Sequence, residues 1–317
     1  MHDGWLETPF DLVGKRVWVA GHNGMVGGAL VQRLASGGCE VLTVGRNGLD
    51  LRRQADVERW MDANKPDVVV LAAAKVGGIG ANTSYPAEFL YDNMMIEANV
   101  IHAAHMCGVE KLLFLGSSCI YPKDAALPIA EDALLSGALE PTNEAYAVAK
   151  IAGVKLCSAY RAQYGVDFMA AMPCNLYGVG DTFDEANSHV IPALLMKAHA
   201  AKIAGADELV VWGSGRPLRE FLYVDDVADG LVFLLQRYSG ARHVNVGSGV
   251  EVSIADLAQL VCEVVGFKGR LVFDESKPDG TMRKVMDNAQ MRGAGWTPSV
   301  ELRAGLVRAY DFYLKGL

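Results

Sequence analysis

The stretch from Lys111 to Pro122, KLLFLGSSCIYP, restricts the fold more than any other part of this sequence. It opens on a continuous apolar run, the pattern of a strand buried on both faces of a parallel sheet. It then breaks into a glycine, two hydroxyls and a thiol. Such groups have no use inside a buried strand. They suit its carboxyl end, where open α/β sheets bind ligands. The expectation is an α/β protein with a doubly wound parallel sheet, in which Ser117, Ser118 and Cys119 face a ligand.

A second segment agrees. Arg16 to Ala20 is a short buried strand, GHNGMVG (Gly21 to Gly27) follows at once, and Gly24 to Ala35 repeats apolar residues at helical spacing. Strand, glycine turn and helix in that order form a dinucleotide-binding unit, with the helix amino end receiving a pyrophosphate. Glu40 to Val44 reads as the second strand, with Arg46 just beyond it. An acidic residue near this place grips ribose hydroxyls, whereas an arginine accommodates a 2′-phosphate, so Arg46 favours NADP. The alternative for Arg46 is an exposed loop residue. Asp67 to Ala74 is the next strand, and Ala87 to Cys107 a long helix, apolar over more than one stripe.

Beyond the focal strand, Pro141, Thr142 and Asn143 are helix-start residues, and a helical pattern runs to about Tyr164. Tyr146 and Lys150 are four apart and share a face of that helix. An ammonium beside a phenol is expected to lower the phenol's pKa towards neutrality, which suits proton exchange with a carbonyl oxygen. Phe168 to Met172 is a further strand.

The character changes after Gly180. Residues 1–14 read as a loose lead-in and 15–178 as a Rossmann-type NADP-binding domain to which 219–247 return. Residues 179–218 and 248–317 read as a smaller α/β substrate-binding domain.

With Ser117, Tyr146, Lys150 and the three turn glycines in view, the chain resembles the extended short-chain dehydrogenase/reductase superfamily. The segments AGHNGMVG (Ala20 to Gly27), AAAKVGG (Ala72 to Gly78), GSSCIYP (Gly116 to Pro122), NSHVIP (Asn187 to Pro192) and KPDG (Lys277 to Gly280) narrow the likeness. They resemble its bifunctional 3,5-epimerase/4-reductases of GDP-4-keto-6-deoxy-D-mannose, over nearly the whole chain from Lys15.

The resemblance implies Tyr146 as general acid at the carbonyl oxygen, with Lys150 holding it and the nicotinamide ribose. It implies Ser117 as hydrogen-bond donor to the same oxygen, and Cys119 and His189 as the acid/base pair for epimerisation. It implies NADP(H) held by Gly21, His22, Asn23, Gly24, Met25, Val26, Gly27, Arg46, Asp50, Leu115, Gly116, Ser118, Lys150, Pro173, Cys174, Asn175, Leu176 and His189. The GDP-sugar falls to Lys197, Trp212, Arg219 and Asp279. A homodimer built on the helices near 87–107 and 144–164 is also implied. The sequence departs from the family at Cys174, often threonine, and at Met282, often proline.

The chemistry is coherent without that likeness. A ketone at carbon 4 acidifies the hydrogens on carbons 3 and 5, so one enolate-stabilising site serves both inversions and the later reduction. Inversion needs a base on one face and an acid on the other, and a thiol with an imidazole fits. Cys119 has a second reading as a small buried thiol, and His189 as a helix-start residue capped by Asn187 or Ser188. Trp212 has two readings, stacking on a ligand or packing. Lys197, Arg219, Arg283 and Lys284 are the candidates to offset two pyrophosphates, since the net charge is −8. That balance argues against nucleic acid as a partner. Rival functions are a 4-reductase without epimerase activity and a dinucleotide sensor, the latter disfavoured by retention of Ser117, Tyr146 and Lys150.

Six cysteines without a close pair point to a reducing cytoplasm and to no bound metal, and no apolar run is long enough to cross a membrane.

Overall fold

A computed structural model describes residues 4–184, 188–277 and 279–317. In chain order, the first half alternates β1 (Arg16–Ala20), α1 (Met25–Ala35), β2 (Glu40–Leu42), α2 (Gln54–Asn64), β3 (Val68–Leu71), α3 (Ile79–Ser84), α4 (Pro86–Met106), β4 (Lys111–Leu115), α5 (Glu144–Tyr164) and β5 (Asp167–Pro173). There follow β6 (Asn175–Tyr177), α6 (Val190–Ile203), β7 (Glu208–Trp212), β8 (Leu218–Tyr223), α7 (Val224–Arg237) and β9 (Val244–Val246). The remainder holds β10 (Glu251–Ser253), α8 (Ile254–Val265), β11 (Arg270–Asp274), β12 (Arg283–Lys284), α9 (Ala289–Gly293) and α10 (Leu302–Lys315).

Among the described residues, six parallel strands form one sheet in the order β2-β1-β3-β4-β5-β9. Strands β3 and β4 are buried along their whole length, as their unbroken apolar runs require. Helix α1 packs with α7, and α4 packs with α2 and α5. Strand order reverses at β1, with β2 on one side and β3 on the other, so a crevice opens at the carboxyl ends of β1 and β3.

A second sheet runs β10-β8-β12, with β6 also paired to β8, and β7 pairs with β11. Residues 218–223 pair within this second sheet, and the chain returns to the first with α7 and β9. Each sheet has its own apolar core: one includes Val19, Val70, Phe114 and Leu231, the other Leu195, Val211, Tyr223 and Leu257.

Three local features differ from the sequence reading. Residues 4–14 are not loose. Trp5 bridges Tyr238 with its ring 5.0 Å away, Leu6 N donates to Arg237 O, and Leu12 is buried in the first core. The apolar side chains of this short segment cover the end of α7, which would otherwise expose its own. The second strand stops at Leu42, so Val44 to Arg46 are loop. And Lys111, at the head of β4, is fully buried, its Nζ 2.5 Å from Asp167 Oδ2 and 2.7 Å from Tyr238 O.

Trp5→Ala tests the first of these. Removal of a partly buried indole should lower stability by roughly 2 kcal/mol in urea unfolding; an unchanged midpoint would mean that the segment contributes nothing.

Candidate active site

The carboxyl ends of β1, β3, β4 and β5 border one cavity of about 720 Å3. It is lined by the whole glycine turn from Gly21 to Gly27, by Arg46 and Asp50, by Leu115 to Ser118, by Tyr146 and Lys150, by Pro173 to Leu176 and by His189. Every residue proposed for the dinucleotide therefore borders the same space.

The turn is shaped by what cannot be there. Gly21 sits at φ +98°, and a methyl group on it would lie 2.6 Å from Ala73 N. A methyl group on Gly27 would lie 2.1 Å from Gly21 O. Backbone is therefore packed on backbone, and α1 begins against the end of β1. Gly24 caps α1 without a side chain, so the first amides of the helix remain open to an anion. These features fit a dinucleotide's pyrophosphate.

Around the adenosine end, Arg46 is exposed and has no ion-pair partner among the described residues. Arg52, which sequence reasoning missed, also lines the cavity but is committed elsewhere. It holds Asp50 at 2.8 Å and Asp92 at 3.1 Å. Hydrogen bonding from Arg52 brings the Asp50 carboxyl down to about 2, so it stays ionised. Asn93 pins the loop after β3 by accepting from Lys75 N at 2.8 Å and donating to Lys75 O at 3.0 Å.

At the other end, Ser117 closes β4 and begins a single 3-10 turn, Ser118–Ile120, with Cys119 N donating to Ser117 Oγ at 3.4 Å. Tyr146 and Lys150 rise from the first turns of α5, as their spacing requires. Lys150 is buried, donates to Leu115 O at 2.9 Å and lies 3.0 Å from Glu97 Oε1. Its Nζ sits 5.9 Å from the centre of the Tyr146 ring.

One expectation is reversed here. Burial pushes the Tyr146 phenol well up, Cys119 and Glu97 push it further, and a hydrogen bond from Ser117 opposes them. The lysine was expected to bring it down. The expectation failed because the phenol is buried, and desolvation of a phenolate outweighs the nearby ammonium. In this state Tyr146 carries its proton, as a general acid must.

Cys119 is buried behind Ser117 and is not among the residues that border the cavity. Burial pushes its thiol up, and the ammonium of Lys284 is the largest opposing influence. His189 borders the cavity immediately before α6, and burial pushes its imidazole down. It makes no side-chain cap. Ser188 does not cap either, because its hydroxyl donates to Thr182 O at 2.8 Å and accepts from Asp184 N at 2.7 Å. Asn187 and Pro278 lie outside the described residues. Cys174 is also buried, and burial pushes its thiol well up.

The four remaining candidates gather away from that cavity. Lys197 of α6 places its Nζ 4.7 Å from the centre of the Trp212 ring, which is 63% exposed. Asp279 accepts from Ser214 N at 2.6 Å and Ser214 Oγ at 2.8 Å, and its charge acts on Arg219 of β8. Lys277, also unforeseen, lies 5.6 Å from the same indole. Arg283 does not join them. Glu251 takes both its Nε and its terminal nitrogen, at 2.7 and 2.6 Å, because the antiparallel register of β10 on β8 brings that carboxylate alongside.

A Rossmann-type sheet with serine, tyrosine and lysine converging at its carboxyl edge defines a class, and this chain belongs to the NAD dependent epimerase/dehydratase family, whose model matches residues 17–247. The class uses a nicotinamide dinucleotide. Among individual proteins, the chain is 58% identical over 306 residues to the GDP-L-fucose synthase of Sinorhizobium fredii, covering 96% of this chain and 98% of that one. Among solved structures it is similar to a GDP-L-fucose synthetase from Naegleria fowleri bound to NADP, with 28% identity, TM-score 0.90 and 98% of each chain covered. It is also similar to a GDP-mannoheptose C4 reductase from Campylobacter jejuni with NADP bound, with 36% identity, TM-score 0.86, and 95% and 98% covered.

His189 gives a pH test. Its folded pKa lies below the ordinary 6.5, so the unfolded chain binds the extra proton first. The stability it contributes is complete above about pH 6.5 and falls as the pH drops below that value. Imidazole signals assigned with a His189→Asn variant should titrate below 6.5 in the native protein; a midpoint at or above it would contradict the burial argument.

Proposed function

We propose that the protein converts GDP-4-keto-6-deoxy-D-mannose to GDP-L-fucose, inverting carbons 3 and 5 and then reducing carbon 4 with NADPH. The observation that carries this reading is the convergence of Ser117, Tyr146 and Lys150 on one cavity with Cys119 directly behind Ser117. The 58% identity to a GDP-L-fucose synthase supports the substrate. Arg46, which has no ion-pair partner among the described residues, together with the NADP in two structural relatives, supports the phosphorylated cofactor.

Reduced nicotinamide bound in the cavity supplies the hydride. The protein's own groups do the rest. Ser117 and Tyr146 donate hydrogen bonds to the oxygen on carbon 4, which gains charge in each enolate and again in the reduction. Their effect is to make the hydrogens on carbons 3 and 5 acidic. Cys119 and His189 exchange those protons on opposite faces of the ring. A neutral thiol with a neutral imidazole carries the same number of protons as a thiolate with an imidazolium. Burial favours the neutral pair and the ammonium of Lys284 opposes it at the sulfur, so the thiolate that acts as base forms as its proton moves to the imidazole.

When hydride reaches carbon 4, Tyr146 gives its proton to the alkoxide, and Lys150 holds the phenol and the ribose in register. Lys197, Arg219 and Asp279 hold the GDP moiety, with Trp212 offering a face on which a flat group stacks. This division assigns the first sheet to the dinucleotide and the second to the substrate.

The similarity to a C4 reductase favours one rival, reduction without inversion. The two readings separate in deuterated water. The keto-sugar with NADPH should yield product labelled at carbons 3 and 5, and label at neither would leave a plain reductase. In the same assay Cys119→Ser should suppress label far more than NADPH oxidation; equal loss of both would remove Cys119 from the inversion.

A homodimer is proposed from α4 and α5, where Tyr91, Met94 and Val148 are 63, 44 and 42% exposed. A second copy of the same helices would cover them. A monomer's mass in solution scattering would overturn it.

A further inference from the structure

Glu97 is a carboxylate buried in the middle of α4, 2% exposed, and the reaction described above gives it no task. Its Oε1 lies 3.0 Å from Lys150 Nζ, and among the described residues Oε2 has no hydrogen-bond partner. A buried carboxylate satisfied on one oxygen only is costly, so its place needs a reason.

The surroundings are built around it. A methyl group on Gly153 would lie 2.8 Å from Glu97 Oε2 and 2.4 Å from the Phe114 ring, so the absence of a side chain there leaves room for the carboxylate. Gly153 is one turn beyond Lys150 on α5. The Phe114 ring from β4 lies 4.6 Å from the same ammonium. Lysine, glutamate, glycine and phenylalanine thus form one cage from three elements, closed on its fourth side by the Leu115 carbonyl. The titratable groups that face Glu97 from α5 are Lys150, Tyr146 and Cys157.

We infer that Glu97 is a positioning residue for the reduction: it fixes Lys150 against Leu115 and offsets its charge, so that Tyr146 enters the reaction with its proton in place. The inference rests on the proposed reduction at carbon 4, where a phenol must donate. A bare ammonium at that distance would work against the burial that keeps the proton on the phenol, and a phenolate cannot protonate an alkoxide. The buried carboxylate supplies the counter-charge from the side away from the cavity, without occupying space where substrate or dinucleotide would lie.

The test has two parts. The first needs neither cofactor nor substrate: tyrosinate absorbance is followed with pH in the native protein, in Glu97→Gln and in Glu97→Asp, each against the same background carrying Tyr146→Phe. Glu97→Gln should move the Tyr146 midpoint down by about one pH unit or more, and Glu97→Asp, which keeps the charge, should restore most of the difference. The second follows NADPH oxidation on the keto-sugar, where the basic limb of kcat/KM should move down in Glu97→Gln by a similar amount. An unmoved tyrosine midpoint in both variants overturns the inference, and so does an activity loss of equal size at every pH that follows thermal stability. Failure of the native protein to oxidise NADPH would instead sink the proposed reduction, while the tyrosinate titration would still decide whether Glu97 governs Tyr146.

Discussion

The architecture depends on a contact that has no side chains in it. At Gly27 the backbone of α1 comes so close to Gly21 O that a single methyl group would not fit, and at Gly21 a methyl group would likewise collide with Ala73. Both approaches press the start of α1 into the crevice between β1 and β3. That crevice is where the strand order reverses, so the open amides of the helix face the one gap the sheet leaves at its carboxyl edge. Everything else in the site is placed relative to it: Ser117 ends the next strand but one, and Tyr146 and Lys150 follow on the helix that covers it.

Charge in this site is governed by burial as much as by attraction. Arg52 and Lys75 border the cavity, but each is tied to carboxylates, Arg52 to Asp50 and Asp92, Lys75 to Glu88 and Asp92. Lys150 is tied to Glu97. Arg46 has no such tie among the described residues, so its charge is the one most available to an incoming phosphate. At the reacting end, burial drives Tyr146 and Cys119 towards their protonated forms and His189 towards its neutral one. The reacting end, made this way, is close to neutral before it meets a ligand.

Much of this was legible from residue order because it rests on local rules. The glycine turn, the broken strand end at Gly116 and the four-residue spacing of Tyr146 and Lys150 are short-range patterns, and each specifies the placement of its own atoms. The partners that set the charges are not local. Glu97 is 53 positions before Lys150. In the sequence it is one acidic residue on a long helix. A signal was present, since Asn93 and Glu97 are four apart on an otherwise apolar face, but a polar pair of that kind does not name its partner. Arg283 illustrates the reverse error: it reads as a free cation until the register of β10 brings Glu251 beside it.

The sequence by itself determined the parallel sheet, the nucleotide turn and the identity of the serine, tyrosine and lysine, because backbone geometry and helical spacing act over a few residues. Only the tertiary structure decided their protonation, the packing of residues 4–14 on α7, and which basic residues remain available. Those outcomes depend on what is desolvated and on which charges are brought within a few ångströms from distant parts of the chain, and desolvation and Coulomb energy are set by position in space rather than by order along the chain.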